Sequence, residues 1–500
     1  MNAKQLLVLQ TERGAKVGIS GDSSTRTIDA VTRECRKAIE EQADKYRDLG
    51  LMEKREAIKQ IIIDYVMQKK PLVIGYIDGE NKPDTLKLVD KLVEDITDYG
   101  ILAESMLDER VFEIRCNGKE IKVEIEGHVT DLINKDGNII SFESPEQQEI
   151  IMRKLLGDVR LTPKDALVNT STIEGFRIAA VHSSAMSVDP DDAMGDRYHS
   201  FVLRKFHKTK LGLGDIVKYG TMSDNMARLL AIAPNGRLTF FTVGPTASGK
   251  TTTNNAILKN IAPGIRVVLL QNPSEIDIRQ KDSSGRVFND VLHLEATEKD
   301  NPSPSDATMA NLMDHTLRLS PTVVIFGEIR SNKEFKQAMK IMQAGHPVNT
   351  TFHAESSAGA IRRFETAYLA ESGNEPAHLA LSNIVDLVNL IIVQHILPDG
   401  SRRVLQISEV IGIDEHDQEQ PKLNDLYIYD INEEPDYDAN GNVTKINGVH
   451  KRVGKLSDRT IEKFKRCGVP SSRFDFLTKE VDQTEVETYT GKDIDKYGVS

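Results

Sequence analysis

Apolar and polar positions change their spacing along the chain. Over residues 27–69 the pattern is charged and helical, with Ile39, Ile58, Ile62 and Val66 at helical intervals. Asp84 stands ahead of Leu88, Val89, Leu92, Val93 and Ile96, which predicts a capped amphipathic helix that Gly100 ends. Around Val111 the period becomes two. Residues 111–115 and 121–125 read as strands joined by an Asn117-Gly118 turn. Residues 142–156 return to helix, 178–183 and 201–206 read as short strands, and 210–232 as a linker of helical character.

From Arg237 onward short, largely apolar runs alternate with helical stretches: 238–243, 266–270, 322–326, 348–352 and 390–393. Uninterrupted apolar strands between helices predict a parallel sheet covered on both faces. Asp399-Gly400 predicts a hairpin that returns the chain toward Val410. The expected fold is α/β, with a helical N-terminal region at 1–95, an α+β domain at 96–208, a linker at 209–235, an α/β core at 236–412 and a C-terminal extension at 413–500.

Composition narrows the class. The chain has 500 residues and a net charge of −12. That balance disfavours a general binder of nucleic acid or anionic lipid. The charge is uneven, however: residues 413–438 hold ten acidic residues and one lysine, so −9 falls in the extension and about −3 elsewhere. No apolar run approaches the roughly 18 residues of a membrane span. The N-terminus carries no secretory pattern, and Cys35, Cys116 and Cys467 lie too far apart for a zinc or disulfide framework. These features predict a cytoplasmic chain.

The chemistry begins at residue 244. Gly244, Pro245, Thr246, Ala247, Ser248, Gly249, Lys250 and Thr251 form a complete GxxxxGK[ST] phosphate loop, and Thr252 continues into a helix. The glycines let backbone N–H groups face phosphate oxygens, Lys250 neutralises the terminal phosphates, and the Thr251 hydroxyl reaches Mg²⁺. Asn81-Lys82-Pro83-Asp84 matches a guanine-reading pattern but precedes the loop, and a turn with a helix cap is the simpler reading. ATP is therefore the expected nucleotide.

The run 323–326 ends at Gly327-Glu328, which places a carboxylate at the ligand edge of a parallel sheet. Glu328 is the candidate base for the attacking water, with an ion pair to Arg330 as the alternative. His346 and His353 are seven apart and do not form an i,i+4 metal pair. His353 ends a strand beside that of Glu328, so it is either a structural histidine or a γ-phosphate sensor.

Taken in order, GPTASGKT, QNPSEI, LRLSPTVVIFGEIR and QAGHPVNTTFHAES resemble the secretion ATPase superfamily of type II and type IV systems. The segments at 99–118, 174–178, 203–206 and 363–366 resemble the Tad/Flp pilus ATPases within it. The resemblance covers roughly residues 95–412. It implies a RecA-like core, ATP with Mg²⁺, and a homo-hexamer in which Arg177 and Arg204 complete the site. It also implies an integral membrane platform protein as partner, a pilin or secreted substrate engaged indirectly, no direct nucleic acid, and a place on the inner face of the cytoplasmic membrane. Three departures stand out. The family's acidic box reads Gln271, Asn272 and Glu275 here, with only Glu275 charged. Thr322 replaces an aspartate, and Leu167 an arginine. Slow or partner-stimulated hydrolysis is expected from these changes. A conjugative ATPase, a non-hydrolysing nucleotide-binding scaffold and a helicase are the competing readings.

Overall fold

The computed structural model describes residues 26–494, apart from 47–48, 50, 78–81, 126–127, 135, 187–197, 206–210, 273–274, 297–305, 374, 432, 440 and 482–485. The chain divides into two units, Met1–Thr209 and Lys210–Ser500.

The first unit opens with helices. The Thr27 hydroxyl caps α1 (Ile28–Glu40), which is followed by α2 (Ala43–Tyr46), α3 (Leu51–Lys69) and α4 (Thr85–Thr97). Ile39 of α1, Ile58, Ile62 and Val66 of α3, and Leu88, Leu92 and Ile96 of α4 meet in one apolar cluster. The helical spacing of the sequence is thus the buried face. The Asp84 carboxylate accepts the Lys87 N–H at 3.3 Å as the cap of α4. Lys82 to Asp84 therefore serve a turn and a cap, and Asn81 lies outside the described residues.

After α5 (Ala103–Leu107) come β1 (Val111–Asn117), β2 (Glu120–Ile125), β3 (His128–Asp131), α6 (Pro145–Leu156), β4 (Leu167–Ser171), β5 (Arg177–Val181) and β6 (Ser200–Arg204). These strands form an antiparallel sheet ordered β3-β2-β1-β6-β5-β4. Gly118, at φ +69°, makes the predicted turn. Ile151, Met152 and Leu155 of α6 pack on Ile114, Cys116, Ile178 and Leu203. Strands β3 and β4 were not expected from the pattern. Both are edge strands, and β4 buries only Val168 while Leu167 is 72% exposed.

In the second unit α7 (Leu213–Lys218) and α8 (Asp224–Ile232) precede β7 (Phe240–Val243), α9 (Lys250–Leu258), β8 (Val267–Gln271), β9 (Val291–Glu295), α10 (Met309–Thr316), β10 (Val323–Phe326), α11 (Asn332–Gln343), β11 (Val348–Phe352), α12 (Ser357–Ser372), α13 (Ala377–Leu387) and β12 (Leu390–Ile396). Then come β13 (Arg402–Ile413), β14 (Pro421–Ile431), β15 (Asp436–Tyr437), β16 (Val443–Lys445), β17 (Gly448–Arg452) and α14 (Asp458–Arg466).

The main sheet runs β17-β14-β13-β12-β7-β11-β10-β8-β9, with β12 through β9 parallel and the β13, β14 and β17 end antiparallel. Alternate residues of each buried strand go to opposite faces. Phe240, Leu269, Ile325 and Ile392 join α7, α8, α9 and α14, whereas Phe241, Leu270, Phe326 and Val393 join α11, α12 and α13. This is the α/β core covered on both sides that the apolar runs predict.

Two parts of the expected organisation look different in three dimensions. The stretch read as a linker contributes α8, whose Leu229, Leu230 and Ile232 are core residues. The stretch read as an extension begins inside β13 and supplies β14 and β17 to the same sheet, and its Phe464, Leu477 and Ile494 join the same core. The acidic segment 413–438 is therefore sheet and connecting loop.

Candidate active site

Strand β7 lies between β11 and β12, and its C-terminal end opens directly into the phosphate loop. Gly244 has φ +151°, and a Cβ there would lie 1.9 Å from the Gln394 carbonyl oxygen, so the loop runs against β12 with no room for a side chain. Gly249 caps α9 at φ +87°, and a Cβ there would stand 3.0 Å from Gln394 Nε2. Gln394 Nε2 donates to the Ser248 carbonyl at 2.7 Å, and Arg402 Nε donates to the Ala247 carbonyl at 3.1 Å. The β12–β13 hairpin thus holds the loop from the side. The ladder of that hairpin shifts register at Val393/Gln394, a bulge that aims Gln394 at the loop.

Lys250 is 7% exposed. Its ammonium donates to the Gly244 carbonyl at 3.0 Å and the Pro245 carbonyl at 2.6 Å. Burial pushes its pKa down, and the carboxylates of Glu328 and Glu355 oppose that shift. A buried ammonium held by neutral carbonyls is poised for anionic oxygens. Thr251 and Thr252 follow in the first turn of α9, where the helix dipole favours the same anion.

Glu328 stands just past β10 with both oxygens engaged. Oε2 accepts from Arg330 Nε at 2.7 Å, and Oε1 lies 3.3 Å from His353 Nε2. His353 Nδ1 is 3.2 Å from the Gly244 carbonyl, which can only accept. With its proton on Nδ1, a neutral His353 presents an acceptor to Glu328, and only the imidazolium donates both ways. His353 therefore stands between the loop and the acid, within reach of both. Glu328 lies at the ligand edge of the sheet, and it forms the ion pair with Arg330. His346 is half-buried in the turn ahead of β11, its N–H bonded to the Ile341 carbonyl at 3.2 Å.

Gln271 and Glu275 of the acidic box divide in role. Gln271 is 1% exposed at the end of β8. Its Oε1 accepts the N–H groups of Glu275 at 2.8 Å and Ile276 at 2.6 Å, while its Nε2 donates to the Ile276 carbonyl at 2.9 Å. That last bond needs an amide, since a carboxylate has no proton to give. Glu275 is exposed and its charge acts on Arg330. Pro273 and Ser274 lie outside the described residues.

Arg177 and Arg204 belong to the first unit. They face each other across β5 and β6, and Arg204 faces Glu113 across β6 and β1. Arg204 Nη2 reaches Glu113 Oε2 at 3.1 Å, and Arg115 bridges Glu113 and Glu124. The structure thus brings together the phosphate loop, Glu328 and His353, and separately brings the two arginines together.

Sequence reasoning passed over Gln394, Arg402 and Glu355. Glu355 sits two residues beyond His353, and His395 Nε2 lies 3.6 Å from its Oε2. Its place just past the C-terminal end of β11 was the available signal. Among the described residues no group of three or more His, Cys, Asp or Glu could hold a metal ion. The Thr251 hydroxyl in the first turn of α9 is an oxygen of the kind that Mg²⁺ carried by phosphates takes, one or two of them from protein. Among the described residues no helix is long and apolar enough to cross a membrane.

Comparison with known proteins agrees with these motifs. Residues 119–424 match the family model described as Type II/IV secretion system protein. A probable conjugal transfer protein TrbB of Sinorhizobium fredii is 32% identical over 193 residues, covering 38% of this chain and 54% of that protein. Type II secretion system ATPase E of Vibrio cholerae is 27% identical over 347 residues, covering 66% of this chain and 61% of that protein. The solved structure of the ATPase DotB of Legionella pneumophila aligns at a TM-score of 0.44 and 20% identity, covering 62% of this chain and 79% of that one. The chain spans about half the length of the first curated relatives it matches. The family match extends over more than half of the sequence, and the chain belongs to the type II/IV secretion system protein family.

Proposed function

We propose that the chain is an ATP-hydrolysing motor that powers pilus assembly or protein secretion, of the Tad/Flp pilus kind. The observation that carries this reading is the bridge Gly244–His353–Glu328, which ties the acid at the end of β10 to the phosphate loop. A scaffold that only held nucleotide would have no use for a carboxylate coupled to the loop in this way. The amide at 271 also loses its weight as an argument for a scaffold, because it staples backbone.

In this reading the loop amides and Lys250 bind the phosphates of ATP, and phosphate oxygens take the place of the Gly244 and Pro245 carbonyls on Lys250 Nζ. Thr251 would hold Mg²⁺, which supplies charge neutralisation at the β- and γ-phosphates. Glu328 orients the attacking water, and His353 reports whether the loop is filled. Glu275 keeps a negative charge near Arg330. Arg177 and Arg204 spread transition-state charge in a homo-hexamer. Work is delivered to an integral membrane platform protein at the inner face of the cytoplasmic membrane, with the pilin or cargo engaged indirectly. A conjugative motor of the same family is the second reading, and the likeness to the TrbB protein supports it.

The test is ATP turnover by the purified chain beside Lys250→Ala and Glu328→Gln. Both variants are expected to lose at least 100-fold in kcat, with Glu328→Gln still binding ATP. Wild-type turnover unaffected by either change would sink the reading.

A further inference from the structure

A groove opens on the motor unit between the start of α11 and the exposed side of α12, with a cavity of about 330 Å³. Arg330, Arg362 and Arg363 line it, and Phe335, Ala367 and Ala370 supply its apolar wall. Among the described residues no carboxylate lines it. Arg330 is the residue that occupies one oxygen of Glu328. Arg362 reaches Gln420 in the loop between β13 and β14. Arg363 is exposed and has no hydrogen-bond or ion-pair partner among the described residues. A guanidinium fork without a carboxylate, next to another over an apolar wall, is a geometry that receives a carboxylate on a short aliphatic stem.

We propose that this groove receives a glutamate or aspartate side chain of a protein partner, and that its seating draws Arg330 away from Glu328. The second part rests on the reading of Glu328 as the catalytic acid. The incoming carboxylate is held by Arg362 and Arg363 and competes with Glu328 for the third guanidinium. Glu328 is then released from the ion pair and keeps its contact to His353. The groove thereby links partner docking to hydrolysis.

A single carboxylate fits better than a nucleic-acid backbone. Asp414, Glu415, Asp417 and Glu419 stand in the loop that ends at Gln420, and burial, with the Glu419 charge second, raises the pKa of Glu365 on α12. An extended polyanion would meet that acidic rim, whereas one side chain passes it.

The probes are a dansylated Gly-Leu-Glu-Leu-Gly amide and its Gln counterpart, followed by fluorescence anisotropy with the full chain. The Glu peptide is expected to bind at least tenfold more tightly than the Gln peptide, and Arg363→Glu to erase the difference. Equal binding of the two peptides, or discrimination that survives Arg363→Glu, overturns the groove. In ATP turnover the Glu peptide is expected to raise the wild-type rate at least threefold. Arg330→Gln is expected to show a raised rate without peptide and no further response. Peptide binding that needs Arg363, together with an unchanged Arg330→Gln rate, overturns the link to Glu328. Stimulation by single-stranded DNA in place of the Glu peptide makes the groove a phosphate site and overturns the proposal. Turnover that persists in Lys250→Ala would indict the ATPase reading instead, and the anisotropy result stands apart from it.

Discussion

Gln271→Glu separates two accounts of the amide at the end of β8. If this position were a catalytic acid that had lost its charge, restoring the carboxylate should speed hydrolysis. The hydrogen bonds say otherwise. The carboxylate keeps the two N–H donors of Glu275 and Ile276, and charge assistance adds about 1 kcal/mol for each. Against that gain, the Ile276 carbonyl loses its donor, at a cost of about 1–3 kcal/mol, and faces an anionic oxygen at the 2.9 Å now occupied by Nε2. The charge must also leave water at a site only 1% exposed, which costs several kcal/mol more. Burial wins, and the variant should lose roughly 2–4 kcal/mol at neutral pH. Once protonated, the introduced carboxyl regains a donor for the Ile276 carbonyl, so its pKa in the folded state rises above the unfolded value of about 4.3. The folded variant then binds more protons than the unfolded chain above that pH, and its stability falls as pH rises through the window. Thermal unfolding of both proteins between pH 4.5 and 8 is the assay. The variant should trail wild type at pH 8 and approach it toward pH 4.5. Equal midpoints at pH 8, or faster ATP turnover by the variant, would refute the reasoning.

Glu174 offers a second pH test in the first unit. It is fully buried, its two oxygens accept from Tyr99 Oη at 2.8 and 2.9 Å, and burial raises its pKa. The wild-type unit therefore loses stability as pH rises above the unfolded range near ~4.3. Glu174→Gln, which keeps an acceptor for Tyr99, should unfold later than wild type at pH 7.5, with the advantage fading as the pH approaches 4.5; no difference at pH 7.5 would count against it. Cys35 and Cys116 are buried, and burial pushes both thiols up to about 12. Ellman's reagent at pH 8 should therefore find one fast thiol, Cys467, and reach the other two only on unfolding; three equally fast thiols would contradict the burial.

What could be read from the sequence follows from how each element is buried. The five parallel strands expected from the sequence all form; β7, β8, β10 and β12 read clearly because burial on both faces leaves them mostly apolar, whereas β11 is buried despite Asn349, Thr350 and Thr351. Strands β3, β4 and β9 escaped because each is half-exposed at or near an edge and reads as mixed. The C-terminal strands escaped for a different reason. Acidic residues dominate 413–438 and mask the apolar pattern, yet in β14 Leu426 and Tyr427 are fully buried, and the half-buried Asp425 accepts from Gln406 and Ser408 of β13.

The site divides along the same line. Phosphate-loop chemistry and Glu328 were legible because motif and strand context coincide within a few residues. Gln394 and Arg402 were not, since they approach the loop from about 150 positions away and their role depends on a bulge that no local pattern announces. The cross-strand row of Arg177, Arg204 and Glu113 shows what pairing adds to a motif. Two like charges directly opposite repel by a few tenths of a kcal/mol or more, and Glu113 partly offsets that cost by its contact to Arg204. Strand pairing thus sets the two arginines and Glu113 in one cross-strand row that no local motif announces. Arg330 stands to Glu328 as Glu113 stands to Arg204, each an ion-pair partner of a charge on a strand or just past its end. If Glu328 is the catalytic acid proposed above, its ion pair with Arg330 holds it from the attacking water, and hydrolysis is expected to wait for a partner that takes that guanidinium.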